Sequence, residues 1–398
     1  MKFCSASMAT LLTYSKTKNS KPYKILVVGQ TPPPYHGQAI MIHNLLNTHS
    51  DHLEWFHVRM EFSSDMDEVG KFKIKKLWVL LKLIAKIYVF KLIHNVDVMY
   101  YPPAGPQKIP VYRDIIVLTA TRWLFKKVVF HFHAAGVSEI HGTLSGFMRK
   151  LYQKAYFYPD VAIRLSEHNP EDGRFFMARK EYLIPCGIED QGKDYLDLRS
   201  KETHSCVNIL FVGVLTESKG VLVLLNSCLL LAQKQLDFHC YFMGGFESPA
   251  FQAKVENVIR CHGLEDRITF LGIQSGKDKI GSFVKADIVC LPTFYESESF
   301  GLVLLEAMQF QLPVIATRWR GIPSIVEDRR SGFLIPINDP EALAEKLEIL
   351  IRNEPLRQKM GAAGRQLYCQ KFTAQRHYQQ MEQMFSDLFV DPQSCLEQ

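Results

Sequence analysis

One stretch of the sequence, residues 286–316, constrains the fold of this chain more than any other. An apolar run at 286–291 leads into a polar loop, a helical pattern covers 302–310, and a second apolar run occupies 313–316. Strand, loop, helix and strand in this order form the repeating unit of an open parallel sheet. The chain is therefore predicted to be an α/β protein.

The polar loop and the helix after it have the composition of a ligand site. Open parallel sheets bind ligands beyond the carboxyl ends of their strands, and the unpaired amides at a helix start suit a phosphate. Two carboxylates, Glu298 and Glu306, flank this turn. A carboxylate does not suit an anion, but it accepts hydrogen bonds from sugar hydroxyls. The alternative interpretation is a surface loop followed by an amphipathic helix with a solvated glutamate.

The run Glu298-Ser-Phe-Gly-Leu-Val-Leu-Leu-Glu306 resembles the signature of the retaining, nucleotide-sugar-dependent glycosyltransferases of family 4. The resemblance implies the GT-B fold, two Rossmann-like doubly wound parallel-sheet domains that face each other across a cleft. It implies that Glu298 touches the donor sugar, that Glu306 holds the ribose, and that the backbone between them meets the diphosphate. The donor-binding residues implied in this run are Glu298, Ser299, Phe300, Gly301, Leu302 and Glu306.

Two segments of the N-terminal half match the family more loosely. Gly37 lies in a proline-rich loop after the first apolar run, where the family has a loop that approaches the donor. His131 and His133 alternate on the run 127–136, so both are expected on one face of a strand. The resemblance implies that His133, nearest the strand end, reaches the donor sugar. For the loop at Gly37, the alternative is a proline-rich turn that serves for stiffness. For the two histidines, the alternatives are a metal site and strand histidines that hydrogen-bond to backbone.

A third segment, 208–220, resembles the family motif that contributes cations to the diphosphate. Gly213 and Lys219 match it, and Lys219 would act on the diphosphate, but Val214 stands where the family often has arginine. A charge-assisted hydrogen bond contributes about 1.5–3 kcal/mol, so its loss weakens donor binding without excluding it. Arg318 and Arg320 are candidate substitutes.

Composition is compatible with a two-domain globular enzyme. The chain has 398 residues, enough for two or three domains, and its net charge of +6 does not demand a nucleic-acid partner. Nine cysteines are scattered singly, which indicates neither zinc nor a disulfide framework and fits a reducing cytoplasm. The expected organisation is a disordered N-terminus at 1–20, an N-terminal acceptor domain at 21–190, a C-terminal donor domain at 205–370, and a polar terminal helix, at 371–390, that crosses back to the N-terminal domain.

Residues 71–91 form a basic amphipathic helix candidate, with Lys71, Lys75, Lys82 and Lys86 on one stripe. It is interpreted as a domain helix with a thin solvated lysine stripe, or as a helix that lies on an anionic membrane. No apolar stretch is long enough to span a bilayer. The expected location is the cytoplasm, with contact at the inner face of the plasma membrane as the further expectation.

The sequence thus favours a retaining transferase that moves a hexose-type sugar from a nucleoside diphosphate to a glycan or a polyprenyl-linked acceptor. Surface polysaccharide synthesis is the expected pathway. The resemblance implies no metal and no cofactor besides the sugar nucleotide. A sugar-nucleotide-binding protein without transferase activity and a sugar-nucleotide epimerase of the same fold are the alternatives. A dehydrogenase is disfavoured, because no G-x-G-x-x-G follows Val28 or Val212.

Overall fold

Two separate parallel sheets organise the part of the chain that the structure describes. The structure is a computed structural model that describes residues 22–33, 35–61, 74–196 and 206–389. Each sheet has six strands within these residues. The predicted disordered N-terminus, 1–20, lies outside the described residues. So do residues 197–205, which lie at the predicted domain boundary. Two doubly wound sheets confirm the predicted α/β fold class.

The N-terminal sheet is built from short apolar runs. Its strands are β1 (Tyr23–Gly29), β2 (Leu53–Arg59), β3 (Val98–Tyr101), β4 (Lys127–Phe132), β5 (Val161–Arg164) and β6 (Lys180–Leu183). The helices are α1 (Gly37–Leu46), α2 (Ile74–His94), α3 (Lys108–Thr121), α4 (Gly146–Tyr156) and α5 (Asp172–Phe175). The strand order is β2-β1-β3-β4-β5-β6, so the topology reverses between β1 and β3. The loops after these two strands therefore flank a crevice.

The C-terminal sheet repeats this plan. Its strands are β7 (Val207–Val212), β8 (Phe238–Met243), β9 (Ile268–Gly272), β10 (Ile288–Leu291), β11 (Val314–Thr317) and β12 (Gly332–Ile335). The helices are α6 (Val221–Gln233), α7 (Pro249–Cys261), α8 (Gly276–Lys285), α9 (Leu302–Gln309), α10 (Pro340–Arg352), α11 (Glu354–Lys371) and α12 (Ala374–Phe389). The order β9-β8-β7-β10-β11-β12 reverses between β7 and β10, which places a ligand crevice beyond these two strands.

The end of the chain forms two helices, and the second, α12, lies within the bounds of the predicted terminal helix at 371–390. The helix breaks between α11 and α12, where Ile188 N–H donates to Phe372 O at 3.1 Å and Ala374 N–H donates to Ile188 O at 3.0 Å. Backbone bonds to the interdomain segment thus replace helical ones at the break. Helix α12 is amphipathic, and its Met381 and Phe385 are buried in the N-terminal core. The final helix therefore packs against the N-terminal sheet.

Helix α2 also departs from expectation. One face of the helix, which includes Leu83 and Ile87, is buried in the N-terminal core. The solvent side is not a thin lysine stripe, because Trp78, Leu92 and Ile93 are each at least 70% exposed. Lys71 and the start of the predicted helix lie outside the described residues. Within the described residues, no helix is both long enough and apolar enough to cross a bilayer.

Candidate functional site

The start of helix α9 forms the floor of the C-terminal crevice. Gly301 caps the helix with φ +85°, a left-handed conformation that glycine adopts without strain. The first backbone bond of this helix is from Leu304 N–H to Gly301 O, at 2.9 Å. The amides of Leu302 and Val303 precede this bond and have no acceptor within the helix. Together with the helix dipole, they favour an anion here.

Lys219 and Glu298 meet at the point where the C-terminal strand order reverses. Lys219 follows β7, Glu298 follows β10, and Lys219 Nζ lies 2.6 Å from Glu298 Oε2. Thr293 Oγ1 donates a second hydrogen bond to Glu298 Oε2, at 3.2 Å. Lys219 Nζ also lies 4.7 Å from the centre of the Tyr295 ring. A cation and a carboxylate predicted from separate motifs are thus in direct contact.

Glu306 forms a second ion pair on the same side of the cleft. Its Oε1 lies 2.6 Å from Lys279 Nζ, and both side chains are about one quarter exposed. Lys279 belongs to α8, and it was not predicted because it lies outside every motif of the predicted signature. It adds a second lysine to the charged side of the cleft.

The two domains bring a pair of helix starts together. Gly37 is the first residue of α1 and Leu302 the first of α9. A Cβ atom at Gly37 would lie 3.3 Å from Leu302 Cδ1, so a larger residue there would crowd the opposite domain. His36, a residue that the sequence analysis did not single out, caps α1 by accepting from Ala39 N–H at 3.3 Å. The structure thus brings Gly37 up to the predicted donor-binding run.

Ser299 and Phe300 do not turn their side chains to an open cleft. The Ser299 hydroxyl donates to His133 O across the domain interface, and Asn169 Nδ2 donates to Ser299 O at 2.8 Å. Phe300 is 2% exposed and contacts Phe372 edge-on. Only the backbone of Phe300 is therefore free to act on a ligand, and Ser299 connects the domains.

His133 directly follows β4 and faces the crevice from the N-terminal domain. His131 and His133 share one face, as predicted, with ring centres 3.9 Å apart. Burial, and after it the nearby His377 and His36, lower the pKa of His133 to about 3. His133 is therefore neutral near neutral pH. Among the described residues, no group of three or more His, Cys, Asp or Glu side chains is placed to hold a metal ion.

Gly213 directly follows β7 at the same crevice, and neither Arg318 nor Arg320 is free to replace the arginine that Val214 lacks. A Cβ at the neighbouring Gly244 would lie 1.8 Å from Gly213 O, so this turn requires close backbone approach. Arg318 pairs with Asp328 at 2.5 Å. Arg320 reaches across to the N-terminal domain and contacts both carboxylate oxygens of Glu139, at 2.6 and 2.8 Å. Both candidate substitutes are thus engaged in other ion pairs.

Fold and site together define a two-domain GT-B protein whose C-terminal crevice has a helix start and a lysine that favour an anion. Residues 201–367 match the family described as "Glycosyl transferases group 1". The predicted resemblance to glycosyltransferases of this group is thereby confirmed for the matched C-terminal residues.

Curated relatives share the C-terminal half with this chain. A D-inositol 3-phosphate glycosyltransferase from Corynebacterium diphtheriae is 33% identical over 191 residues, which cover 46% of this chain and 44% of the relative. The putative colanic acid biosynthesis glycosyltransferase WcaL from Escherichia coli is 30% identical over 145 residues, 35% of each chain. The chain thus spans less than half the length of these relatives.

Solved structures resemble the whole architecture. Sucrose-phosphate synthase from Thermosynechococcus elongatus has a TM-score of 0.70 at 18% identity, and the match covers 92% of this chain and 99% of the synthase chain. Anabaena HepE in complex with UDP has a TM-score of 0.68 at 18% identity, and the match covers 92% of this chain and 100% of the HepE chain. At these identities the likeness concerns the fold alone, and it confirms GT-B.

Proposed function

We propose that this protein transfers a hexose-type sugar from a nucleoside-diphosphate donor to an acceptor, with retained anomeric configuration, as the enzymes of family 4 do. The observation that carries the proposal is the Lys219–Glu298 ion pair at the switch point of the C-terminal sheet, beside the open amides of α9. A lysine and a helix start suit the diphosphate, and a carboxylate suits the hydroxyls of the sugar.

Each residue of the site has a separate task in this proposal. Lys219 and the α9 amides stabilise the charge that grows on the departing diphosphate, which is the main electrostatic requirement of such a transfer. Glu306 binds the ribose hydroxyls, while Glu298 and His133 orient the sugar. Closure of the cleft excludes water, which would otherwise hydrolyse the donor. The reaction uses no metal ion and no cofactor besides the sugar nucleotide.

The acceptor is proposed to be a glycan or a polyprenyl-linked glycan of a surface polysaccharide. Support comes from the curated relatives, which include the colanic acid protein WcaL and the amylovoran biosynthesis glycosyltransferase AmsK from Erwinia amylovora. HepE structures with UDP and with UDP-glucose make uridine nucleotides the first donors to test.

Contact with the inner face of the plasma membrane is the second part of the proposal. The solvent side of α2 combines exposed Trp78, Leu92 and Ile93 with lysines such as Lys82. Apolar side chains beside lysines favour an anionic lipid surface.

Vesicle flotation tests this contact. Trp78→Glu is expected to reduce binding to vesicles that contain phosphatidylglycerol. The control is Phe147→Glu, which changes an equally exposed aromatic residue on α4 and should bind as the unmodified protein does. Equal binding by the Trp78 variant and the unmodified protein would exclude α2 as the contact.

Transfer itself is tested with a panel of UDP-, GDP- and ADP-sugars, with extracted polyprenyl-linked lipid as acceptor. Proton NMR of the product should show the anomeric configuration of the donor, and Glu298→Gln should abolish the product. An epimerised donor without acceptor would indicate the epimerase. Binding without transfer or hydrolysis would indicate a sugar-nucleotide-binding protein.

A further inference from the structure

The hydroxyl of Tyr100 lies between two buried histidines of the N-terminal domain. Tyr100 is on β3, and its Oη lies 2.6 Å from His131 Nδ1 and 3.2 Å from His133 Nε2. Tyr100 and His131 are each 1% exposed, and His133 is 9% exposed. The three side chains form a short chain of hydrogen bonds that ends at the cleft.

Every member of this chain is neutral near neutral pH. Burial, and after it His133 and His377, lower the pKa of His131 well below its usual value. The pKa of His133 is lowered to about 3 by burial first. Burial, and then Cys186, raise the pKa of Tyr100, so the hydroxyl keeps its proton. Each imidazole therefore carries a single ring proton, on one of its two nitrogens.

The one hydroxyl proton leaves two possible arrangements. If Tyr100 donates to His131 Nδ1, then His131 carries its own proton on Nε2. Among the described residues, this buried nitrogen has no partner, so the arrangement strands a buried N–H. In the second arrangement, His131 Nδ1–H donates to the Tyr100 oxygen and the Tyr100 hydroxyl donates to His133 Nε2. The atom without a partner is then His131 Nε2 as an unprotonated acceptor. Orphaned buried donors are rarer than unsatisfied acceptors, which favours the second arrangement.

We infer that Tyr100 and His131 hold His133 as the tautomer protonated on Nδ1. With Nε2 accepting from Tyr100, His133 offers an N–H donor on the opposite edge of its ring. Among the described residues, no hydrogen bond to this Nδ1 is present. Its partner is a hydroxyl oxygen of the bound sugar, an inference that rests on the proposed function. Tyr100 is thus a positioning residue, which acts through His133.

Nitrogen NMR of the protein labelled with ¹⁵N-histidine tests the tautomer without any donor. The His133 ring signals, assigned by their loss in His133→Gln, are expected to show Nδ1 protonated and Nε2 bare. In Tyr100→Phe the Nε2 atom loses its donor, and the ring is expected to shift toward the Nε2-protonated tautomer. A His133 ring protonated on Nε2 in the unmodified protein would overturn the inference, whatever reaction the protein catalyses.

Kinetics test the consequence for the reaction. Tyr100→Phe is expected to lower kcat about tenfold, since it removes one positioning hydrogen bond, while the KM for the donor changes less than about twofold. Tyr101→Phe is the matched control on the same strand, because its hydroxyl is also buried and donates to Asp114 at 2.8 Å. It should leave the His133 tautomer and kcat unchanged.

A Tyr100→Phe variant with a shifted His133 tautomer and unchanged kcat would overturn the positioning role. Absence of any transferase activity in the unmodified protein would instead count against the proposed function.

Discussion

The two walls of the cleft differ in charge. The C-terminal wall carries two lysine–glutamate pairs, Lys219–Glu298 and Lys279–Glu306, each at 2.6 Å. On the N-terminal wall the neutral His133 follows β4, and the Tyr100 hydroxyl of β3 lies 3.2 Å from its Nε2. A charged wall beside a helix start suits a diphosphate and its ribose. A neutral wall suits the hydroxyls of a sugar and places no further charge beside the reacting bond. The difference fits the proposed donor, which is anionic at its diphosphate and neutral at its sugar.

The largest effect is expected from removal of the charge of Lys219. Lys219→Met should lower kcat by about 10²- to 10³-fold, as removal of one preorganised electrostatic donor does. Steady-state kinetics with the identified donor measure this loss. Lys254→Met is the control, because Lys254 pairs with Glu217 at 3.0 Å on the open surface of the same domain. Equal losses in the two variants would show that the charged wall has no special role.

Glu306 should affect binding more than turnover. Glu306→Ala removes hydrogen bonds to the ribose and is expected to weaken nucleotide binding by about 1.5–3 kcal/mol. Calorimetric titration gives this number directly. The control is Glu348→Ala, since Glu348 pairs with Lys234 at 2.6 Å, the same distance as in the Glu306 pair, but away from the cleft. Unchanged affinity in Glu306→Ala would remove this residue from the ribose site.

The neutral wall should make the protein sensitive to acid. Burial lowers the pKa of His377, which lies beside the histidine pair, from 6.5 to about 4. Between these values the unfolded chain binds a proton that the folded protein does not, so stability falls as pH falls. The expected slope is about 1.4 kcal/mol per pH unit for this one group.

Urea unfolding between about pH 7 and about pH 5 measures the slope. His377→Gln should reduce the slope but not abolish it, because burial also lowers the pKa of His131 and His133. His262→Gln, which removes an exposed histidine of the other domain, controls for the loss of a histidine. A slope as steep in His377→Gln as in the unmodified protein would contradict the assignment to His377.

The sequence predicted the charged wall better than the neutral one. Lys219, Glu298 and Glu306 stand in local motifs beside strand ends, and a parallel sheet brings such ends together whatever else the chain does. Lys279 lies outside these motifs, and its contact with Glu306 depends on how α8 packs against α9. Residue spacing alone could not have revealed that contact.

The neutral wall depends on contacts between elements far apart in the chain. The alternation of His131 and His133 predicted their shared face, but not Tyr100 between them, because Tyr100 comes from another strand. The backbone bonds that stabilise the break before α12 likewise come from a distant residue, Ile188.

The central claim is that the charged wall binds a diphosphate, and comparison of di- with monophosphates tests it most directly. The protein and its Lys219→Met variant are titrated calorimetrically with UDP, GDP and ADP, and with UMP, GMP and AMP. We expect one diphosphate to bind at least about tenfold more tightly than its monophosphate, and Lys219→Met to abolish this preference. Equal binding of the two nucleotides, or a preference that survives the loss of Lys219, would contradict the claim.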